Sequence, residues 1–326
     1  VPCIQATEAT KSSDDRHAMN LWQRWRQRQR RRAGKQADRR ERHGRREQWF
    51  LLAGRAAQPG RLPPDRAHLG PIYPPAEAFW ADPFLWHRDG RHYVFFEEFR
   101  YASGRGHISV MELDSEGHLA AEPRPALQEP HHLSYPFLFA KDGELYMVPE
   151  KAETQRLDLY RCVTFPERWE RAHTLMEGVM IADATLFEHD GRWWLLAAVN
   201  GRRLHLNESL CAFYAERPLT SKWRSHPCNP LLRDFSRARP AGRILRDGDR
   251  LFRPSQDCVR RYGHGLNLSE ITQLSPARYR ERQLWHLSGE AAGGWRAMHH
   301  MDWNAGLLVM DAQRLIPCSA KPPWMG

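Results

Sequence analysis

The feature that most limits how this chain can fold is a hairpin outline that keeps returning along it. ADPFLWHRDGRHYVFFEEF (81–99), SYPFLFAKDGELYMVPEKA (134–152) and ADATLFEHDGRWWLLAAVN (182–200) share a short strand, an Asp-Gly turn and a second strand. RPAGRILRDGDRLFRPSQD (239–257) keeps the turn but alters the start, and HHMDWNAGLLVMDAQ (299–313) is a degenerate fifth copy. The turn glycines Gly90, Gly143, Gly191 and Gly248 are 53, 48 and 57 residues apart, and Gly306 follows after another 58. A glycine there supplies the positive φ that a tight hairpin needs. Outer strands fit between the hairpins: GHISVMELD (106–114), LDLYRCV (157–163) and SLCAFYAE (209–216), with FPERWERAHTLM and PLTSKWRSHP closing the second and third units. Four strands per unit in five units predict an all-β fold, a five-bladed β-propeller. A two-sheet sandwich would not explain so long a period. The early strand QWFLLAGR (48–55) is expected to complete the last blade, because a ring must join its two ends. The expected division is a basic arm at 1–47, the propeller at 48–318 and a tail at 319–326.

Charge is distributed unevenly. The chain carries +10 at neutral pH, yet residues 1–48 hold 14 Lys+Arg against 6 Asp+Glu, leaving +2 for the rest. The basic character therefore belongs to the arm, and no specific nucleic-acid partner is expected of the body. Residues 21–49 are rich in helix formers, with Leu21, Trp22 and Trp25 as one small apolar edge. A helix charged on every other side lacks a face to fix it to a core, so a solvated helix or disordered extension is expected. Trp beside Arg also suits an anionic membrane surface, contacted through residues 21–47.

Six widely spaced cysteines with no CxxC pair point to reduced thiols, and no zinc spacing is present. No apolar run reaches the roughly 18 residues of a membrane span. The expected setting is cytoplasmic, with membrane association through the arm. No Gly-rich phosphate loop precedes a helix and no GxSxG elbow occurs, so an α/β esterase is not supported; the histidines lack firm ligand spacing, and neither a cofactor nor a metal is expected.

In a propeller the innermost strands ring an axial channel, and one end of them forms a funnel. Eight residues before the turn glycines lie Asp82, Tyr135, Asp183 and Pro240; seven after them lie Glu97, Glu150, Ala198 and Ser255. Antiparallel partners bring both columns to one end. The expected site therefore gathers Asp82, Glu97, Glu98, Glu150 and Asp183, with Gln256 and Asp257 at nearly the same level. Carboxylates beside aromatic residues suit glycoside chemistry, one acid protonating the leaving oxygen while another activates water or attacks. Clustering raises the pKa of one member and keeps it protonated. Arg239 and Arg253 are positioned to orient the acids or hold a substrate anion. His132 (after His131), and His299 (before His300), are candidates for substrate contact near the axis, whereas YGHGLNLSEI around Tyr262 reads as outer-blade structure.

FWADPFL, VFFEEF, GHISVMELD, HLSYPFLF, YMVPE, DATLF…GRWWL, HPCNPL, ARPAGRI and RPSQDC…YG occur in order over roughly residues 48–314. In this the chain resembles the N-terminal propeller domain of plant glucosamine inositolphosphorylceramide transferases and its stand-alone or formyltransferase-linked bacterial relatives. More distantly it resembles family-43 and family-32 glycoside hydrolases, five-bladed propellers with an Asp, Asp, Glu site. The resemblance implies that Asp82 is the general base or nucleophile and Asp183 the residue that orients and tunes the acid. Glu150 is then the expected acid. Family-43 enzymes carry that Glu after the second Asp, whereas Glu150 precedes Asp183, so Glu97 and Glu98 remain alternatives. In the plant proteins glycosyl transfer is attributed to a separate C-terminal domain. The expected function is a carbohydrate-active enzyme cleaving or transferring a glycosyl unit of a bacterial surface polysaccharide or a glycolipid. The alternative is a glycan-binding or accessory module serving a glycosyltransferase.

Overall fold

The computed structural model describes residues 21–56, 69–202 and 204–318. Residues 1–20 of the expected arm, and the expected tail, lie outside the described residues. The strands form five antiparallel sheets, the blades of a propeller. From the axis outward, the first blade is Ala78–Arg88, Arg91–Arg100, Arg105–Leu113 and Leu119–Leu127. The second is Ser134–Lys141, Glu144–Glu150, Arg156–Thr164 and Arg168–Glu177, and the third begins Ile181–His189, Arg192–Val199 and Ser209–Ala215. The fourth is Leu245–Asp247, Arg250–Asp257, Gly265–Ser275 and Arg278–Ser288. The fifth takes Met301–Asn304 and Leu307–Pro317 from the end of the chain, then Arg45–Arg55 and Gly70–Ile72 from its beginning.

That fifth blade is the expected closure, extended at its start. Arg45–Arg55 pairs with Leu307–Pro317 along its whole length, from Arg45 opposite Pro317 to Arg55 opposite Leu307. Trp49, Phe50, Leu51, Leu52 and Ala53 are buried in succession because neighbouring elements cover both faces of the strand. Each large side chain so buried contributes about 1.5–3 kcal/mol over leaving it in water.

The hairpin turns follow the chemistry of their residues. Asp89-Gly90, Asp142-Gly143, Asp190-Gly191 and Ala305-Gly306 all have positive φ at both positions, the requirement of a turn whose twist matches its strands. The fourth turn is offset by one residue. Asp247 pairs with Arg250, so Gly248 is the first central residue there instead of the second. The third blade also departs from expectation. PLTSKWRSHP supplies only Arg224–Ser225 as a strand, and Leu232–Arg233 pairs separately with the strand above it. Pro227 and Pro230 lack the amide hydrogens a longer ladder would use.

The arm is corrected in part. Leu21–Glu41 is helical, and it is seated against the propeller instead of standing free. Its contacts are polar or backbone-close. Gln27 Nε2 donates to Asp234 at 2.7 Å, the Arg31 guanidinium lies 4.2 Å from the Phe235 ring centre, and Glu41 pairs with Arg261 at 3.3 Å. No apolar stripe is needed for this seat. All five cysteines among the described residues are free, and no helix there is long and apolar enough to cross a membrane.

Candidate active site at one end of the propeller axis

The inner strands of the first three blades are broken at one matching position. Ladder register slips between Ala81 and Phe84, Ser134 and Phe137, and Ala182 and Thr185. Within each slip one residue is left-handed: Asp82 (φ 52°), Tyr135 (φ 45°) and Asp183 (φ 53°). Asp tolerates this region better than most residues; for Tyr it is a true outlier of the kind that clusters at functional sites. Each kink frees a backbone amide, and a carboxylate from the preceding blade receives it. Asp82 N donates to Asp311 Oδ2 (3.0 Å), Tyr135 N to Asp82 Oδ2 (3.2 Å) and Asp183 N to Glu150 Oε2 (3.1 Å). The acids thus link successive blades around the axis.

Their charges are handled by two basic groups. Arg239 clasps Asp183 through Nε (2.5 Å) and Nη2 (3.2 Å), approaches Glu150 at 3.7 Å and donates to Asn207 at 2.8 Å. Gln256 Nε2 adds a bond to Asp183 Oδ2 at 3.2 Å. On the other side His299 lies between two acids, Nε2 3.3 Å from Asp82 and Nδ1 2.8 Å from Asp311. Its ring is 4.1 Å from Trp49 and 5.0 Å from Tyr262, centre to centre.

Burial decides the protonation of this group. Asp82 is pushed up to about 7, first by loss of water and then by Asp183 and Asp311, against the pull of His299 and Arg239. Glu97 is raised well above the usual range by burial and by Asp82, Glu150, Asp311 and Asp183. Glu150 is raised well above it too, by burial, then the Asp183 charge, with Arg239 opposing. His299 moves upward: burial works against its charge, but Asp311 and Asp82 outweigh it. Asp311 is held below the usual range despite burial, chiefly by His299. Acids with opposed protonation states therefore share one chamber.

The axis is plugged beneath the cluster. The Tyr135 ring is fully buried, and its hydroxyl meets Thr185 Oγ1 at 2.8 Å and accepts from Gly242 N at 2.9 Å. His300 is buried against Phe84 and Tyr135, and burial drives it down to about 3. Lower still, Arg243 pairs with buried Asp302 at 3.1 Å and donates to Leu138 O at 2.7 Å. The open side of the chamber therefore faces the strand ends opposite the Asp-Gly turns.

The sequence-predicted residues sort cleanly. Asp82, Glu97, Glu150, Asp183, Arg239, Gln256 and His299 come together. His132 stands at the edge, Nε2 3.5 Å from Glu97. Tyr135 contributes its amide, while its side chain lies under the chamber floor. Glu98 is on the other face of its strand, bound to Arg100 (2.6 Å) and Ser109 (2.7 Å), and its carboxyl is lowered despite burial. Arg253 is likewise turned away, doubly bonded to Glu281 at 2.8 Å. Asp257 sits with His286 (3.0 Å) and Val259 N (2.8 Å), outside the cluster.

Asp311, Asn207 and Tyr262 were not anticipated. Tyr262 is no outer-blade residue: its ring packs on His299 and carries Arg239 at 5.1 Å, and 40% of the residue is exposed. Its hydroxyl is near enough to Asp82, Asp183 and Glu150 to feel their charges, so the phenol borders the chamber. Asp82, His299 and Asp311 also form the one group, among the described residues, whose donor atoms all lie within 4.8 Å of one another, the spacing a cation would accept. Asp311 also receives the His299 and His300 amides, both at 2.9 Å, which ties it to the backbone. We treat the three as a carboxylate–imidazole–carboxylate chain.

A ring of five blades closed by its own N-terminal strand, with acids gathered at one axial end, defines a five-bladed β-propeller. Two solved structures share the fold. One is a β-xylosidase, 12% identical, covering 73% of this chain and 84% of that one with a TM-score of 0.52. The other is an exo-β-1,3-galactanase from Phanerochaete chrysosporium with galactose, 12% identical, covering 69% and 56% with a TM-score of 0.50. Residues 73–312 match the family described as glucosamine inositolphosphorylceramide transferase 1, N-terminal, and the chain belongs to that family. Similar curated proteins are the glucosamine inositolphosphorylceramide transferase 1 of Oryza sativa subsp. japonica and that of Arabidopsis thaliana. The first is 35% identical over 253 residues, 73% of this chain and 33% of that protein. The second is 34% identical over 233 residues, 69% and 30%. The chain thus spans about a third of the curated relatives it matches. These relatives are plant proteins, which corrects the bacterial setting expected from the sequence.

Proposed function

We propose that the chamber binds a glycosyl unit of a glycan or glycolipid and cleaves or transfers it by carboxylate acid–base chemistry. The observation that carries this reading is the division of labour among the acids. Glu97 and Glu150 are held toward the protonated form, Asp82 is poised near neutrality, and Asp183 is clasped by Arg239 and Gln256. A raised carboxyl beside a second acid is what protonation of a leaving oxygen requires. In this reading Glu150 gives its proton to the glycosidic oxygen as the bond to the anomeric carbon breaks. Asp82 either takes a proton from the attacking water or attacks that carbon itself. Asp183 positions Glu150, since its amide binds one Glu150 oxygen and its carboxylate adds to the forces that keep Glu150 protonated. Glu97 is the alternative acid. Tyr262 offers the exposed aromatic face on which a sugar ring packs.

A second reading is favoured by one observation, the two thirds of each curated relative that this chain does not span. There the propeller holds the glycan while another domain performs the transfer. Aryl glycosides, activated sugar donors and an immobilised glycan panel separate the two. If the propeller is catalytic, Asp82→Asn and Glu150→Gln lose turnover and keep glycan affinity. Glycan binding without turnover by the wild-type chain supports the module instead. A wild-type chain that neither binds nor turns over any of them refutes both.

A further inference from the structure

We infer that helix Leu21–Glu41 and the chamber mouth form one docking face for an anionic lipid bilayer, so that the acid cluster opens toward the membrane surface. The residues from Leu21 to Ala37, LWQRWRQRQRRRAGKQA, contain seven Lys+Arg and no acid. This is the wrong sign for the positive end of a helix dipole, so the N-terminal half repels its own charge unless anions meet it. The two described acids of the helix, Asp38 and Glu41, come near its C-terminus and are engaged by the body. Arg261 binds Asp38 at 3.3 Å, and Arg296 binds Glu41 at 3.4 Å. Arg28, Arg30, Arg32, Lys35 and Arg39 are left exposed, with no acidic partner among the described residues. The propeller neutralises the acids and leaves the cations pointing outward.

The seat of the helix fixes which way they point. Gln27 and Arg31 hold the loop at Asp234–Phe235, and Phe235 O accepts from Cys258 N at 2.7 Å. Gln256, two residues earlier, bonds to Asp183. Gly34 lies so close to the Arg260 carbonyl that a Cβ there would come within 1.9 Å of its oxygen. These loops all belong to the end of the blades where the chamber opens, opposite the Asp-Gly turns. The same end carries Arg314 over exposed Tyr73 (3.9 Å) and Arg46 over Tyr101 (4.2 Å). Cations backed by aromatic rings suit the headgroup layer of a membrane. A helix so rich in cations suits the charged surface of such a membrane, whereas a nucleic acid would call for a groove following its backbone. The inference rests on the glycan reading only for what the chamber meets there, a sugar carried on a lipid headgroup.

The test uses the full chain with vesicles of phosphatidylcholine, alone or mixed with phosphatidylserine. Cosedimentation is expected only with the anionic vesicles and should weaken with added salt. Each cation near such a surface is worth about fivefold in affinity, so the triple substitution Arg28→Gln, Arg30→Gln, Arg32→Gln should reduce binding about a hundredfold. These side chains contact no acid, so the melting temperature should stay unchanged. Orientation is read with a fluorophore at Ser103→Cys or Ala291→Cys on the chamber side, and at Asp142→Cys on the turn side. Cys3, Cys162, Cys228 and Cys318 are replaced by Ser in all three. Brominated lipid should quench the first two labels and not the third. No binding to anionic vesicles, equal quenching on both sides, or retention on heparin without vesicle binding would overturn the inference. Vesicle docking without glycan affinity would leave this face standing and remove the glycan reading; glycan affinity without docking would do the reverse.

Discussion

Replacing Asp82 by Asn should make the protein more stable at alkaline pH while disabling its chamber. The Asp82 carboxyl moves from an ordinary 3.8 to about 7 on folding. A carboxyl raised in this way contributes stability that is complete below about pH 4 and is lost as pH rises through about 7. The loss integrates to a ceiling of about 4 kcal/mol at roughly 1.4 kcal/mol per unit. Asn keeps an oxygen to accept the Tyr135 amide and brings no charge to desolvate. Against this, His299 loses one of the two carboxylates that favour its proton. A net gain of about 2 kcal/mol at pH 8 follows, shrinking toward zero near pH 4. For a propeller of this size that is a rise in melting temperature of about 3–4 °C. Thermal melts followed by tryptophan fluorescence at both pH values measure it. A variant less stable than wild type at pH 8, or an equal gap at the two pH values, would refute the assignment of Asp82 as a desolvated acid.

Removing the guanidinium by Arg239→Ala strands the Asp183 carboxylate and should cost about 3–5 kcal/mol, read as a lower melting temperature, with Arg239→Lys restoring part of it. Gly242→Ala should destabilise the ring by at least about 3 kcal/mol, because a Cβ at its φ of 134° would lie 1.9 Å from Met301 O; near-wild-type melting would contradict the tight approach of the fourth and fifth blades. Glu98→Gln should weaken the first blade but leave glycan affinity intact, whereas Glu97→Gln should alter affinity, both measured on the glycan panel. If Asp82 is the base, turnover should rise with pH through about 7; an acid limb near pH 4 would exclude it from that role.

What could be read from the sequence was whatever the backbone must repeat. The Asp-Gly turns are legible because a tight hairpin needs positive φ, and the closing strand because WFLLA is apolar on both faces. Side-chain direction was less legible. Glu98 follows Glu97 by one residue, and Arg253 precedes Gln256 by three, so pleat parity sends both away from the chamber. Aligning the fourth unit on Gly248 hid this, since its glycine is the first central residue of the turn. Asp311 escaped because it lies five residues after Gly306 where the other columns used seven. Asn207 and Tyr262 come from loops and follow no period. The helix escaped for another reason: its seat depends on Gly34 meeting a carbonyl and on ion pairs, neither of which leaves an apolar stripe.

The cost of this chamber explains why the carboxylates recur at one position of the repeat. A left-handed Asp or Tyr costs on the order of 1–3 kcal/mol, and each kink breaks a ladder step. The amide so freed would be a buried orphan without an acceptor. Asp311, Asp82 and Glu150 supply that acceptor in turn, each from the blade before. One oxygen of each acid is therefore committed to holding two blades together. For Asp82 the other oxygen faces His299, which in turn leans on Asp311. A purely structural ring would be better served by neutral acceptors, because amide oxygens receive N–H groups without the penalty of desolvating clustered charges. Retaining acids at Asp82 and Glu150 makes physical sense if their second oxygen is needed for exchanging a proton, or for gripping hydroxyl groups, at the chamber mouth. The Asp82→Asn comparison bears on that choice directly, since it preserves the acceptor and removes only the charge.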